Sequence, residues 1–482
     1  MTRKVMGPFN RVEGDLEVTL DFDGNQVASA RVSSPLYRGF EQILYGKDPR
    51  DALVFTPRIC GICSVSQSMA SARALADLQG LQMPPNGELA TNLVLANENI
   101  ADHLTHFYLF FMPDFAREVY AGEKWYQTTV ERFGAQTGKA SQQVLPVRAE
   151  FMHLMGLLAG KWPHSMAIQP GGSTRPIETQ ERIRVLATLF SFRRFLETTL
   201  FGDTLERIIE LDSKEALFSW ADEASPESSD LRRFLQLSQS LGLDKLGRGT
   251  DRFMSYGAYN FQEESLFLAG LWDGDFKPLK SELISEDLSH SWMSHRAEPK
   301  HPFKGITLPD AEAEDGYTWC KAPRLDGRVV EVGALARQQV SGHPLIRDLV
   351  AHTGGNVQNR VIARLLEIAR VVPEMESWAK ELKPKEPFCV DGPIPDEGQG
   401  QGLVEAARGS LGHWIKIKRG RIINYQIIAP TTWNFSPRDS QNVPGALEQA
   451  LVGASQRDGE SDPVSVQHIV RSFDPCMVCT VH

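Results

Sequence analysis

The chain carries two Cys-x-x-Cys pairs near its opposite extremities, Cys60 with Cys63 in "FTPRICGICSVSQS" and Cys476 with Cys479 in "SFDPCMVCTVH". From residue 63 to residue 476 is 413 positions. If the four thiols share one metal, both ends of the polypeptide must meet at one place, so residues 1–482 are read as a single intertwined unit. One such pair alone is equally a redox dithiol or half a zinc site. Two pairs favour a four-thiolate metal, since soft and borderline ions prefer these ligands. Structural zinc pairs usually lie about 15–20 residues apart, a spacing this chain lacks, but on spacing alone a structural four-cysteine zinc protein stays open. Neither pair follows the βαβ pattern of a thioredoxin-type dithiol. The other two cysteines, Cys320 and Cys389, are isolated and read as small buried apolar residues.

Period-two alternation in "LEVTLDF", a turn at Asp23-Gly24 and a return through "QVASARV" predict a β-hairpin. "WIKIK", the turn "RG" and "RIINYQII" predict a second. Between them, apolar residues recur at helical spacing. They do so from "ELATNLVLANENI" to Pro113, through "IETQERIRVLATLFSFRRFLETTLFGDTLERIIEL", and through "NVQNRVIARLLEIARVVPEMESWAKEL", where Pro373 is expected to interrupt the helix. Stretches rich in Pro, Gly, Ser and acid, among them "KPKEPFCVDGPIPDEGQGQG", read as surface loops. The expected fold is α+β and mainly helical, a central bundle of long helices with small antiparallel sheets at its periphery.

A net charge of −10 argues against nucleic acid and anionic membrane surfaces as partners. No run reaches the ~18 apolar residues of a spanning helix, and "MTRKVMGPFN" has no apolar stretch behind its basic residues, so a cytoplasmic protein is expected.

The flanks of the cysteines carry more. "RICGIC" and "DPCMVCTVH" resemble the paired motifs RxCGxC and DPCxxCxxH of the large subunit of nickel–iron hydrogenases. Further blocks follow in family order: "RVEGD" at Arg11–Asp15, "RGFEQIL" from Arg38, "DHLTHFY" from Asp102, "PGG" at Pro170–Gly172, "ARGSLGHW" from Ala407 and "NYQIIAPTTWNFSPRD" from Asn424. The resemblance implies that Cys60, Cys63, Cys476 and Cys479 bind nickel. Cys63 and Cys479 would also bridge to an iron bearing carbon monoxide and cyanide. Arg408 would hang over the open metal site, oriented by Asp102 and Asp474, and Thr431 would donate to a second cyanide. Glu13 would take the first proton from a cysteine sulfur. Glu41, the carbonyl of Ile427 and His482 would hold magnesium. The chemistry agrees: thiolates are soft and accept protons, a guanidinium is a fixed cation, and a buried carboxyl titrates near neutrality.

Some positions depart from the family pattern. Gln67 stands where the family usually has histidine, and an amide cannot titrate near neutral pH. Ile62 and Phe110 replace smaller side chains expected along the gas channel. Asp15 replaces a histidine, and Ala407 a proline, so a less rigid backbone is expected there. These relatives often carry an extension cut after the final histidine; here the sequence ends at His482. The glutamine, the two bulky residues and the missing extension resemble the regulatory branch, which senses dihydrogen and signals to a histidine kinase. A metabolic uptake or NAD-coupled enzyme is the alternative. The quinone-site subunit of respiratory complex one shares the ancestral fold but lacks the four thiolates. With four cysteines engaged and two isolated, electrons from the nickel need another carrier; the resemblance implies an iron–sulfur small subunit, and a dimer of such heterodimers stays open.

Overall fold

Thr2–Met6 (β1), Glu17–Asp23 (β2) and Gln26–Ser33 (β3) pair antiparallel in the order β1-β2-β3. Val18, Leu20 and Phe22 alternate into the core as a strand period of two requires. The computed structural model describes residues 2–294 and 298–482. Among the helices that follow are Ser64–Gln79 (α1), Pro85–Thr105 (α2) and Thr179–Phe195 (α3). A hairpin of Phe253–Phe261 (β4) and Glu264–Trp272 (β5) leads to Ala334–Ser341 (α4) and Val357–Glu381 (α5). Gly398–Ala406 (β6), Gly409–Lys418 (β7) and Arg421–Ile428 (β8) form an antiparallel meander, before Val464–Ser472 (α6) and the short Met477–Thr480 (α7). The helix α2 is buried along nearly its whole length and packs on α5, which in turn packs on α3, so the centre is helical and the small sheets flank it.

The two expected hairpins form, β2–β3 turning between Asp23 and Gln26 and β7–β8 between Lys418 and Arg421, each with a register shift along its length. Four local readings need correction. The apolar run after α2 does not continue as α-helix to Pro113. It widens into a π-helical stretch, His106–Phe111, and tightens into a 3₁₀ segment, Met112–Ala116. The second long run likewise leaves α3 through Leu196–Phe201, stops at Gly202 with φ of 66°, and resumes only as Leu205–Ile209. Pro373, by contrast, does not interrupt α5. Losing one helical N–H costs about 3 kcal/mol, and the fully buried Val371, Val372, Met375 and Ala379 on either side carry the helix through.

The fourth correction has the clearest cause. "GQGQG", read as loop, is the first half of β6. A methyl group at Gly402 would come within 1.9 Å of the Ala70 carbonyl, and one at Gly400 within 2.2 Å of that of Ala74. The alternate glycines let the strand lie directly on the backbone of α1. The β4–β5 hairpin was also missed, and Cys389 is partly exposed, whereas Cys320 is fully buried as expected. Among the described residues, no helix is long and apolar enough to cross a membrane.

Candidate metal centre

Cys63 is the residue before the first turn of α1, and Cys476 the residue before α7. The start of α1 is fixed by Glu98 of α2. Its carboxylate accepts from the backbone N–H of Val65 (2.8 Å) and Ser66 (2.9 Å) and from the indole of Trp162 (3.0 Å). The late pair is fixed by the amino-terminal loop. Glu13 bridges to Cys476 in parallel, and the Met477 N–H donates to the Glu13 carbonyl at 2.6 Å. Gly14, with φ of 81°, is pressed against Met477 and Val478, where a side chain would not fit. Arg38 ties both cysteine loops together by donating to the carbonyls of Ile59 (2.6 Å) and Val478.

The early and late pairs therefore converge. Cys60 and Cys476 sulfurs are 3.5 Å apart, Cys63 and Cys479 3.1 Å, Cys476 and Cys479 3.2 Å, and all four lie within 4.8 Å of one another with no disulfide among them. Hydrogen bonds from Cys476, Cys479 and Cys63 hold the Cys60 thiol well below its ordinary value. The contacts of Cys63 to Cys476 and Cys479 push its thiol well up, and burial does the same to Cys479. A cation that binds all four sulfurs must displace the thiol protons.

Arg408 lies at the tip of the two-residue connection between β6 and β7, where Ala406 pairs with Gly409. Its Nη1 is 2.8 Å from Asp102 Oδ2 and its Nη2 3.1 Å from Asp474 Oδ1, and its Nε donates to the Asp474 carbonyl at 3.0 Å. Arg408 also lines a small chamber with Gln67, Leu411, Pro430 and Thr431 beside Cys63, Cys476 and Cys479. Burial outweighs the ion pair at Asp102 and pushes its carboxyl up to about 7. Burial works the same way on Asp474, but Arg408 and His106 hold that carboxyl low. The Glu13 carboxyl is raised by burial and by the charge on Cys60, with Arg408 opposing. Thr431 Oγ accepts from the Cys476 N–H at 3.1 Å, leaving its own proton free to donate.

Glu41, Ile427 and His482 form a second group. His482 Nε2 is 2.6 Å from the Ile427 carbonyl and 3.8 Å from Glu41 Oε1, which accepts from the Ile427 N–H at 2.8 Å. The His482 Nδ1 meets the Cys479 carbonyl at 3.0 Å, linking this group to the sulfurs. Lys321 sits between Glu41 (3.4 Å) and Glu286 (3.2 Å). Burial pushes the Glu286 carboxyl up to about 7, and its buried Oε1 has no partner among the described residues.

Gln67, one turn into α1, presents Oε1 to His413 Nε2 at 2.8 Å, and His413 Nδ1 meets the Tyr425 hydroxyl at 2.8 Å. The Gln67 Nε2 is buried with no acceptor among the described residues. Ile62 is partly exposed and packs on the core beside the cysteines. Phe110, also partly exposed, sits on the π-helical stretch and is not among the residues lining the chamber. The buried ring there is Phe111, stacked on His106. Asp15 is exposed. Sequence reading missed Arg38, Glu98, His413 and Tyr425 as individuals, although Arg38, His413 and Tyr425 fall inside blocks that carried the family likeness.

The donor set fits the metals that the resemblance implies. Four free sulfurs cluster together, and three of them, Cys63, Cys476 and Cys479, line a chamber bordered by a fixed cation, as a catalytic thiolate-bound metal requires. At the second group, the Glu41 carboxylate and the Ile427 carbonyl offer oxygen donors beside the His482 imidazole, a set that suits a hard cation through its oxygens.

The description "Nickel-dependent hydrogenase" matches residues 38–142 and 120–482. The chain is 29% identical over 517 residues to the periplasmic [NiFeSe] hydrogenase large subunit of Desulfomicrobium baculatum, across 98% of this chain and 94% of that one. It is 27% identical over 566 residues to the Hydrogenase-2 large chain of Escherichia coli (strain K12), across 100% and 97% of the two. Among solved structures, the reduced Ni-Fe-Se hydrogenase from D. vulgaris Hildenborough aligns over 100% of both chains with a TM-score of 0.84 at 28% identity. A reduced, active form of the Ni-Fe-Se hydrogenase from Desulfomicrobium baculatum gives 0.86 at 27%, again over 100% of both.

Proposed function

This chain belongs to the nickel-dependent hydrogenase family, as the large catalytic subunit of a nickel–iron hydrogenase, and from that premise we propose that it cleaves dihydrogen between its four cysteines and Arg408. The convergence of Cys60, Cys63, Cys476 and Cys479 on one point beside the Arg408 chamber carries the reading. Cys60, Cys63, Cys476 and Cys479 would hold a nickel–iron centre bearing carbon monoxide and cyanide, which would supply Lewis acidity and a sink for electrons when bound.

The chain's own groups supply the rest. Arg408 keeps a cation over the chamber, fixed by Asp102 and Asp474, and polarises dihydrogen without reorganising. One proton passes to a cysteine sulfur and from there to Glu13, whose carboxyl, raised by burial, takes up a proton more readily than an ordinary carboxylate. Thr431 offers its hydroxyl proton to a cyanide nitrogen. Glu41, the Ile427 carbonyl and His482 would hold magnesium, and the His482 imidazole ties that group to the Cys479 loop.

The electrons leave to an iron–sulfur small subunit. Gly61 is exposed and Ile62, Cys63 and Phe110 are partly so, which supports a partner covering this edge of the cysteine loop. We assign the protein to the hydrogen-sensing branch, signalling to a histidine kinase, on Gln67, Ile62 and Phe110. The metabolic alternative is favoured by the relatives, whose names describe periplasmic enzymes and Hydrogenase-2. The cytoplasmic location rests on the sequence alone.

Purified protein is expected to contain nickel and iron and to show infrared bands of metal-bound carbon monoxide and cyanide that change under dihydrogen. Zinc alone, without those bands, would sink the reading. Slow turnover separates a sensor from an uptake enzyme, and Ile62→Val with Phe110→Leu should speed inactivation by dioxygen if the two side chains narrow the gas path.

A further inference from the structure

Arg337, on α4, is 0% exposed and lies behind the hairpin tip that carries Arg408. Every one of its five N–H groups has a partner. Nε donates to Glu367 Oε2 at 3.1 Å, and Nη2 to Glu367 Oε1 at 2.8 Å and to the Ala407 carbonyl at 3.0 Å. Nη1 donates to Glu405 Oε2 at 2.7 Å and to the Ala406 carbonyl at 2.8 Å. The two carbonyls immediately preceding Arg408 are thus held by one planar guanidinium. That guanidinium is itself fixed to α5 through Glu367, which His103 of α2 also meets at 3.1 Å.

We infer that Arg337 is the positioning residue for Arg408, a clamp on the β6–β7 tip that supplies the stiffness Ala407 cannot. The inference rests on the proposed role of Arg408 and deepens it. The fork geometry is what matters. A lysine in its place keeps the charge opposite Glu367 and Glu405 but offers a compact ammonium that cannot span two carboxylates and two carbonyls at once. Glu367, held down at about 2 by Arg337 and His103 against the effect of burial, remains an anion and keeps the guanidinium oriented. A free tip would let Arg408 drift relative to the chamber, and a displacement of about 1 Å at a catalytic group costs about 100-fold in rate.

The test uses the holoenzyme with its small subunit and compares Arg337→Lys with the double variant Arg337→Lys, Ala407→Pro, because a proline ring fixes φ at the tip independently of the clamp. The expected result is a loss of about 100-fold in dihydrogen turnover and displaced cyanide infrared bands in Arg337→Lys. Both should return most of the way to wild type in the double variant. Wild-type bands and turnover in Arg337→Lys overturn the inference. So does a double variant no better than the single one, whether that single variant is folded and inactive or fails to accumulate, since Arg337 is then only structural. Absence of carbon monoxide and cyanide bands from the wild-type protein is a separate result, which removes the hydrogenase reading itself.

Discussion

Two buried arginines, Arg408 at the β6–β7 tip and Arg337 on α4 behind it, carry the same formal surroundings, one cation between two carboxylates. Around Arg337 the arrangement is closed: Glu367, Glu405 and two carbonyls take all its donors. Around Arg408 it is open: Asp102, Asp474 and the Asp474 carbonyl engage only part of the fork, and the residue borders the chamber beside the sulfurs. Lys321 between Glu41 and Glu286 is intermediate, with one carboxylate oxygen left unmatched. Equal charge therefore does not mean equal purpose. The closed site holds backbone in place, and the open ones keep capacity for something the chain does not itself provide.

The comparison breaks most visibly at Arg408. Arg408→Lys keeps the charge and should leave the urea midpoint near wild type, yet lower dihydrogen turnover by about 10²–10³-fold. A loss of stability matching the loss of rate would mean that this site is as closed as the other. Glu13→Gln should cut turnover by about 10²-fold while dihydrogen still changes the infrared spectrum, because binding precedes the proton's departure. At the closed site the order reverses. Removing one partner of a buried ion pair costs about 3–5 kcal/mol, so Glu367→Ala should lower the urea midpoint far more than Arg408→Lys does. The lysine site is sharpened by magnesium: the Glu41→Gln variant should retain less magnesium on dialysis, measured by elemental analysis.

The smallest effect lies at Glu448, whose partner cation Arg438 stands off at 3.9 Å. Its carboxylate accepts from the Val32 N–H at 3.0 Å and the Tyr317 hydroxyl at 2.8 Å. Burial pushes its carboxyl up to about 7 from an ordinary 4.5. The folded state then holds a proton that the unfolded chain has released. This contribution to stability is complete below the ordinary value and is lost as pH rises toward 7, at about 1.4 kcal/mol per pH unit. Glu448→Gln should flatten the dependence of urea midpoint on pH across that window, and an unchanged slope would show that Glu448 is ionised throughout.

Much of the site was legible in the sequence because its chemistry is concentrated in residue types with few other uses. Cysteine pairs at both ends, "RVEGD" and the terminal histidine announce themselves without a fold. The two hairpins were legible because a period of two survives in a single stretch. What escaped depended on partners far along the chain. The glycines of "GQGQG" look like a loop until the carbonyls of α1 are beside them. Pro373 looks like a helix breaker until the packing around α5 offsets its cost. Arg337, in the ordinary run "ALARQQ", shows nothing of its role until the Ala406 and Ala407 carbonyls arrive from another element.

The interlocking of Glu13 with Cys476 and Met477 has a temporal side. On the ribosome, β2, β3 and α1 emerge hundreds of residues before the segment that closes against them, and contacts so distant in sequence form slowly. Cys60 and Cys63 must wait through nearly the entire synthesis as uncovered nucleophiles. A cell making this protein needs either a chaperone over the nascent early pair or a reducing milieu that keeps it from pairing with the wrong thiol.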